Sequence, residues 1–260
     1  MINGLLDESR AELAVPAVLT GGSGRLGTEL QDLLPELLAP SSSELNVLEP
    51  DRYVQNLRPN LVVHAAAWTD VAGAETQREA CWQLNVEGTR RIALAAKAAG
   101  AKLVLISTDY VFDGQRGNYR EDDVPGPVLN YYALTKLLAE EVARSVMPQG
   151  QLLIIRTSFR AREWPHPKAF TDLFTSQDYI DELAPHIALA ICKAPVIPHD
   201  TLHIAGKRRS SFELARERAP QVEPAVRADA SVKLPADVSL DTSRWLGLVN
   251  AWNEALGGIS

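Results

Sequence analysis

Residues 15–27 read VPAVLTGGSGRLG, an apolar run that gives way after Thr20 to a glycine turn. The helical pattern begins at once: Leu26, Leu30, Leu33 and Leu34 recur at i, i+4, i+7 and i+8, one face of a helix. Strand, turn and helix therefore follow one another without a linker. Gly21, Gly24 and Gly27 give the turn a chemical use. A residue without Cβ allows a tight strand-to-helix turn and lets a pyrophosphate approach the backbone. The helix start then presents free N–H groups and its positive dipole end to the anion.

The rest of the first half repeats this alternation. Leu61–Ala67 (LVVHAAA), Lys102–Ser107 (KLVLIS) and Gln151–Arg156 (QLLIIR) are continuous apolar runs, which suit parallel strands buried on both faces. Glu75–Ala99 reads as one long helix stopped by Gly100, and about Tyr131–Val146 as a second that ends before Pro148. The expected fold is α/β, a doubly wound parallel Rossmann sheet with right-handed crossovers and a small, truncated C-terminal substrate-binding region. Residues 1–14 form an N-terminal extension, a short helix or a mobile arm. Residues 15–158 form the NAD(P)-binding domain. Residues 159–260 form the substrate region, interleaved with the last sheet elements. There, Ser158–Lys168 reads as a loop, Tyr179–Cys192 as a helix, Thr201–Ala205 as a strand, Ser211 to about Arg218 as a helix, Pro220–Pro235 as irregular chain and Leu248–Leu256 as a short closing helix.

Composition narrows the function. Of 260 residues 46% are hydrophobic and 23% charged, which excludes wholesale disorder. A net charge of −7 argues against binding nucleic acid by bulk charge. Two cysteines, Cys81 and Cys192, make no disulfide framework and point to a reducing, cytoplasmic setting. No apolar run reaches membrane-spanning length, so no membrane partner is expected, and the first residues do not read as a signal peptide. The five histidines lack metal-ligand spacing, so no metal is expected.

The chemistry gathers at two places. Tyr132 and Lys136 are four apart in a helix and share a face. An ammonium beside a phenol lowers its pKa and makes it a usable acid–base group. Ser107-Thr108-Asp109 closes the Lys102 strand, and ligands of open α/β sheets sit beyond the carboxyl ends of strands. Thr108, Tyr132 and Lys136 are the expected catalytic trio, with Ser107 as a competing hydroxyl. An acidic residue about 20 positions after the glycines would hold a ribose 2′-hydroxyl. The sequence there is Pro40-Ser41-Ser42-Ser43-Glu44. Ser41 and Ser42 suit a 2′-phosphate instead, and Arg25 can pair with it. NADP(H) is the favoured cofactor and NAD(H) the alternative.

STDYVFDG (107–114) followed by NYYALTK (130–136) resembles the dTDP-4-dehydrorhamnose reductase group of extended short-chain dehydrogenases/reductases. HAAAWTDV (64–71), LNVEGT (84–89), RTS (156–158) and LDTSRW (240–245) extend the likeness, which is strong over about residues 16–158. The resemblance implies reduction of a nucleotide-linked 4-keto-sugar, with the proton from Tyr132. It implies cofactor contacts at Gly21, Ser23, Gly24, Arg25, Leu26, Asn46, Val47, Ala65, Ala66, Ala67, Asn85, Tyr132 and Lys136. Substrate contacts are expected at Trp68, Thr69, Thr108, Asp109 and Phe159. The Ser158–Thr171 stretch is short for that family, so a more open pocket is expected. Two other readings share these motifs: an NADP-binding regulatory or scaffold subunit, and an epimerase or dehydratase. A homodimer is an admissible assembly.

Overall fold

The computed structural model describes residues 2–230 and 233–257. Six strands build the central sheet: β1 (Ala17–Thr20), β2 (Leu37–Leu38), β3 (Leu61–His64), β4 (Lys102–Thr108), β5 (Leu152–Thr157) and β6 (Thr201–His203). All pair in parallel, in the order 2-1-3-4-5-6. The apolar runs are unbroken because helices cover both faces. Odd and even positions along each strand feed different cores. Leu19, Val63, Val104, Ile106 and Ile155 pack with the helices Arg25–Leu33 and Ile180–Cys192. Val18, Val62, Leu103, Leu105 and Ile154 pack with Gly88–Ala99 and the carboxyl half of Tyr131–Val146.

Several expectations are revised. The N-terminal extension takes the first of its two expected forms, a short helix, Ile2–Ser9. Its Leu5 and Leu6 are 2% and 1% exposed and pack against Ile180–Cys192. The single helix expected over 75–99 is broken into Val71–Thr76, Arg78–Trp82, a wide π-turn at Gln83–Glu87, and Gly88–Ala99. Asp70 starts the first piece by accepting from the Gly73 N–H at 3.0 Å, and Gln77 leaves helical geometry. The closing helix is longer than expected, Ser243–Gly257, because its Trp245 is drawn into the main core.

The second half is less of a separate unit than its sequence suggests. The helices Ile180–Cys192 and Ser243–Gly257, with β6, complete the sheet and its cover. What remains is a lobe of short strand pairs at the carboxyl edge of the sheet. Phe159–Arg160 pairs with Asp178–Tyr179 inside the stretch read as a loop. Lys168–Phe170 pairs with Glu223–Ala225, a strand inside the stretch read as irregular. Trp164, Ala169, Tyr179, Leu214 and Val222 form its small core.

Candidate active site

Strands β1 and β3 are neighbours, and the chain leaves them towards opposite sides of the sheet. That switch point is where open α/β sheets bind ligands. The glycine turn sits there. Gly21 has φ +80°, and a Cβ on it would lie 2.6 Å from the Ala66 nitrogen. A Cβ on Gly27 would collide with the Gly21 carbonyl oxygen, so the helix packs directly on its own turn. No side chain caps the helix start at Gly24. Ser23, Gly24 and Arg25 are exposed along this rim, whereas Leu26 is buried in the core and offers only its backbone.

Across the sheet edge, the alanines follow β3 and are half-buried. The Ala65 N–H donates to the Thr20 carbonyl at 3.2 Å. Val47 is buried against Gly88, and Asn46 is exposed, its Oδ1 accepting from the Leu48 N–H at 3.0 Å. Ser41 and Ser42 are exposed after β2. Glu44 occupies Ser41: its Oε2 accepts from the Ser41 N–H at 2.9 Å and hydroxyl at 2.7 Å. These bonds, the hydroxyl's first, hold the Glu44 carboxyl below its ordinary range.

Asn85, expected among the cofactor contacts, turns inward. It is 1% exposed and its amide is spent inside the protein. Oδ1 accepts from the Trp68 N–H at 2.7 Å, and Nδ2 donates to the Trp68 carbonyl at 3.2 Å and to Thr135 Oγ1 at 2.9 Å. It ties the alanine loop to the Tyr131–Val146 helix. Trp68 packs beside Tyr132, Tyr131 and Tyr110, and Thr69 is exposed.

The trio converges at the end of β4. Asn130 caps the helix by accepting from the Ala133 N–H at 2.9 Å, and the buried face presents Tyr132 and Lys136. The Lys136 ammonium donates to the Ile106 carbonyl at 2.8 Å. The Thr108 hydroxyl donates to Asp109 Oδ1 at 3.0 Å and accepts from the Tyr110 N–H at 3.2 Å. Burial lowers the Lys136 pKa to about 8, opposed by Glu140. Lysine was expected to acidify the phenol, but the Tyr132 pKa is raised. Burial is the largest cause; the Thr108 hydroxyl opposes it and the Asp109 charge adds to it.

Two expected substrate contacts are displaced. Asp109 is fully buried, its pKa raised to about 6 by burial against the pull of Thr108, Ser158 and Thr175. It sits behind Thr108, bonded to that hydroxyl, and exposes no surface of its own. Phe159 is half-buried against the main core, and the next residue, Arg160, lies within reach of Asp109, Tyr110 and Arg25. Ser107 points to the other side, donating to Glu140 Oε1 at 2.5 Å. Sequence reading missed Arg160, Thr175 and Gln177. Gln177 Nε2 donates to Ser158 Oγ at 2.7 Å, and Thr175 Oγ1 to Asp109 Oδ2 at 3.4 Å. An arginine two places after the RTS run was a visible signal for the first. The other two arrive through the 159–160/178–179 strand pairing and carry no local signal. Among the described residues no cluster of His, Cys, Asp and Glu is arranged to hold a metal ion, and no helix is long and apolar enough to cross a membrane.

A parallel sheet with a glycine turn at its switch point, and a Tyr–Lys helix facing a strand-end threonine, is the architecture of the extended short-chain dehydrogenases/reductases. Within that class the chain belongs to the RmlD substrate binding domain family, which it matches over residues 16–180. A dTDP-4-dehydrorhamnose reductase of Aggregatibacter actinomycetemcomitans is 34% identical over 156 residues, 56% of this chain and 52% of that protein. The chain thus spans about half the length of the curated reductase it matches. The methionine adenosyltransferase 2 subunit beta of Pongo abelii is 40% identical over 105 residues, 39% of this chain and 31% of that protein. The crystal structure of the Bacillus anthracis dTDP-4-dehydrorhamnose reductase in complex with NADP superposes with a TM-score of 0.78 at 26% identity. That likeness covers 92% of this chain and 95% of the other, so the second half follows the same plan where sequence matching stops.

Proposed function

We propose that this chain is an NAD(P)H-dependent reductase of a carbonyl on a nucleotide-linked 4-keto-sugar, of the dTDP-4-dehydrorhamnose type. NADP(H) is the favoured cofactor and NAD(H) the alternative. The observation that carries the reading is the convergence of Thr108, Tyr132 and Lys136 beside the glycine turn. The turn fits a dinucleotide: Gly21 and Gly27 leave no room for a Cβ, Gly24 faces outward, and the helix start has no side-chain cap. The backbone of Gly24, Arg25 and Leu26 would hold the phosphates. Val47 and Ala65–Ala67 would line the adenosine side, and Lys136 would hold the nicotinamide ribose. The cofactor, when bound, supplies a hydride to the carbonyl carbon.

The chain's own residues then manage the oxygen. The Thr108 hydroxyl holds it, and Tyr132 gives it a proton. A raised pKa keeps that proton on the phenol at neutral pH until a strongly basic alkoxide develops. Lys136 is a cation below about pH 8 and stabilises the phenolate left behind. Two buried free cysteines suit a reducing, cytoplasmic setting. The test is to offer purified protein NADPH or NADH with a panel of nucleotide-linked keto-sugars and follow nicotinamide absorbance. No oxidation with any of them removes the reductase reading.

The likeness to a methionine adenosyltransferase 2 subunit beta favours a second reading, an NADP-binding regulatory or scaffold subunit with little catalysis. It requires cofactor binding without turnover and a stable protein partner on pull-down. An epimerase or dehydratase would convert the sugar without net NADPH loss.

Cofactor choice gives a sharper expectation. Glu44 keeps a negative charge on the Ser41 donors that would meet a 2′-phosphate. Glu44→Gln is expected to shift the ratio of NADPH to NADH affinity towards NADPH by about 2–5-fold, the range of an exposed charge contact. Fluorescence titration with both cofactors reads it. An unchanged ratio would take Ser41 and Ser42 out of the cofactor site.

A further inference from the structure

Arg160 stands apart from most arginines of its lobe. Arg162, Arg208, Arg209, Arg218 and Arg227 each pair with a carboxylate. Arg160 has no such pair among the described residues. Its Nε donates to Gln177 Oε1 at 2.9 Å, and its guanidinium carbon lies 5.0 Å from the centre of the Trp164 ring. Its terminal nitrogens make no protein hydrogen bond among the described residues. The side chain is partly buried, and desolvation lowers its pKa although Tyr110 and Asp109 pull the other way. Arg25, from the glycine-turn helix, is close enough to repel it.

A second observation points to the same place. The Trp164 indole N–H is buried and has no acceptor among the described residues. His166 packs edge-on to that ring at 5.8 Å, its pKa lowered by burial and then by Arg160 and Arg25. Two cations and an orphaned donor thus share one rim; Asp109 acts on Arg160 from a distance but forms no ion pair with it among the described residues. Unpaired cations held near one another in a half-dry setting favour an anionic ligand. A stacked guanidinium is built for phosphate or carboxylate, which it meets with two parallel N–H bonds.

We propose that Arg160, backed by Trp164 and flanked by Arg25, is an anion subsite for the substrate, taking the sugar-linked phosphate or a carboxylate on the sugar. This rests on the keto-sugar reading above and deepens it. Arg160 belongs to the substrate side because Asp109 and Tyr110, both close enough to act on it, directly follow Thr108. The cofactor phosphates have their own place at the Gly24 helix start, and Arg25 stands between the two.

The experiment measures binding and needs no turnover. Wild type, Arg160→Gln and Arg160→Lys are titrated calorimetrically with NADPH, dTDP-glucose and dTDP-glucuronate, with thermal melts to confirm folding. Arg160→Gln should weaken the sugar nucleotides about tenfold or more and leave NADPH within about twofold. Arg160→Lys, which keeps charge and loses the fork, should fall between. Equal loss for both sugars assigns the phosphate; loss confined to the glucuronate assigns a carboxylate. A tenfold loss of NADPH affinity would place the subsite on the cofactor and overturn the proposal. So would unchanged sugar-nucleotide binding, or wild type that binds neither sugar nucleotide. Wild type that binds them yet oxidises no NADPH with any keto-sugar sinks the reductase reading and leaves the subsite standing.

Discussion

Tyr132→Phe is expected to lower turnover by about 10²–10⁴-fold, the usual worth of a positioned proton donor. The change removes one oxygen and keeps the ring. That ring packs among Trp68, Ala74, Cys81, Tyr110 and Tyr131, so the site should hold its shape. NADPH affinity should be preserved, because the ribose contact is assigned to Lys136 and the phosphates to the glycine turn. Stopped-flow or steady-state oxidation of NADPH with the reducible sugar reads the first quantity and fluorescence titration the second. Full activity in the variant would remove Tyr132 as the donor. The pH profile supplies a companion result. Lys136 loses its proton as pH rises through about 8, so kcat/KM should decline above that value.

The second large effect concerns a buried ion pair behind the site. Arg156 and Glu140 are 2% and 0% exposed and meet at 2.7 Å, with Ser107 donating to the same carboxylate. The Arg156 guanidinium also faces the Phe112 ring at 5.1 Å and His203 at 3.4 Å. Arg156→Met strands a carboxylate in the core. Breaking a buried pair from one side costs about 3–5 kcal/mol. For a chain of this size that is a drop of roughly 6–20 °C in melting temperature. The double variant Arg156→Met/Glu140→Leu should recover most of the loss, since no lone charge remains. Calorimetry of wild type and both variants decides it, and a single variant as stable as wild type would deny the pair its structural weight. Glu140 has a functional side as well. It lies one turn beyond Lys136 and raises that pKa against burial. Glu140→Gln should therefore move the alkaline decline of kcat/KM to lower pH, a shift that a purely structural residue would not produce.

Sequence and structure agree best where the signal is local. The glycine turn, the apolar strands and the Tyr132–Lys136 face each follow from spacing within a few residues. Agreement fails where a side chain's direction depends on distant chain. Asn85 carries no mark of spending its amide on Trp68 and Thr135, 17 and 50 residues away. Phe159 and Arg160 are adjacent, and periodicity cannot say which faces the pocket. The pairing with Asp178–Tyr179 decides it. The net direction of the Tyr132 pKa is not legible in the Tyr132–Lys136 spacing, because desolvation grows with burial, which spacing does not report.

By itself, then, the sequence determined a parallel α/β sheet, a dinucleotide-type turn after its first strand, and which helix face carries a tyrosine and a lysine. Those are consequences of short unbroken apolar runs, of 3.6-residue periodicity and of short motifs. Only the tertiary structure decided that Leu5 and Leu6 belong to the core, that Asp109 stands behind Thr108, and that Arg160 forms no ion pair among the described residues. Each depends on which distant segments exclude water from a group and which polar atoms they bring to it, and that is fixed only when the chain closes on itself.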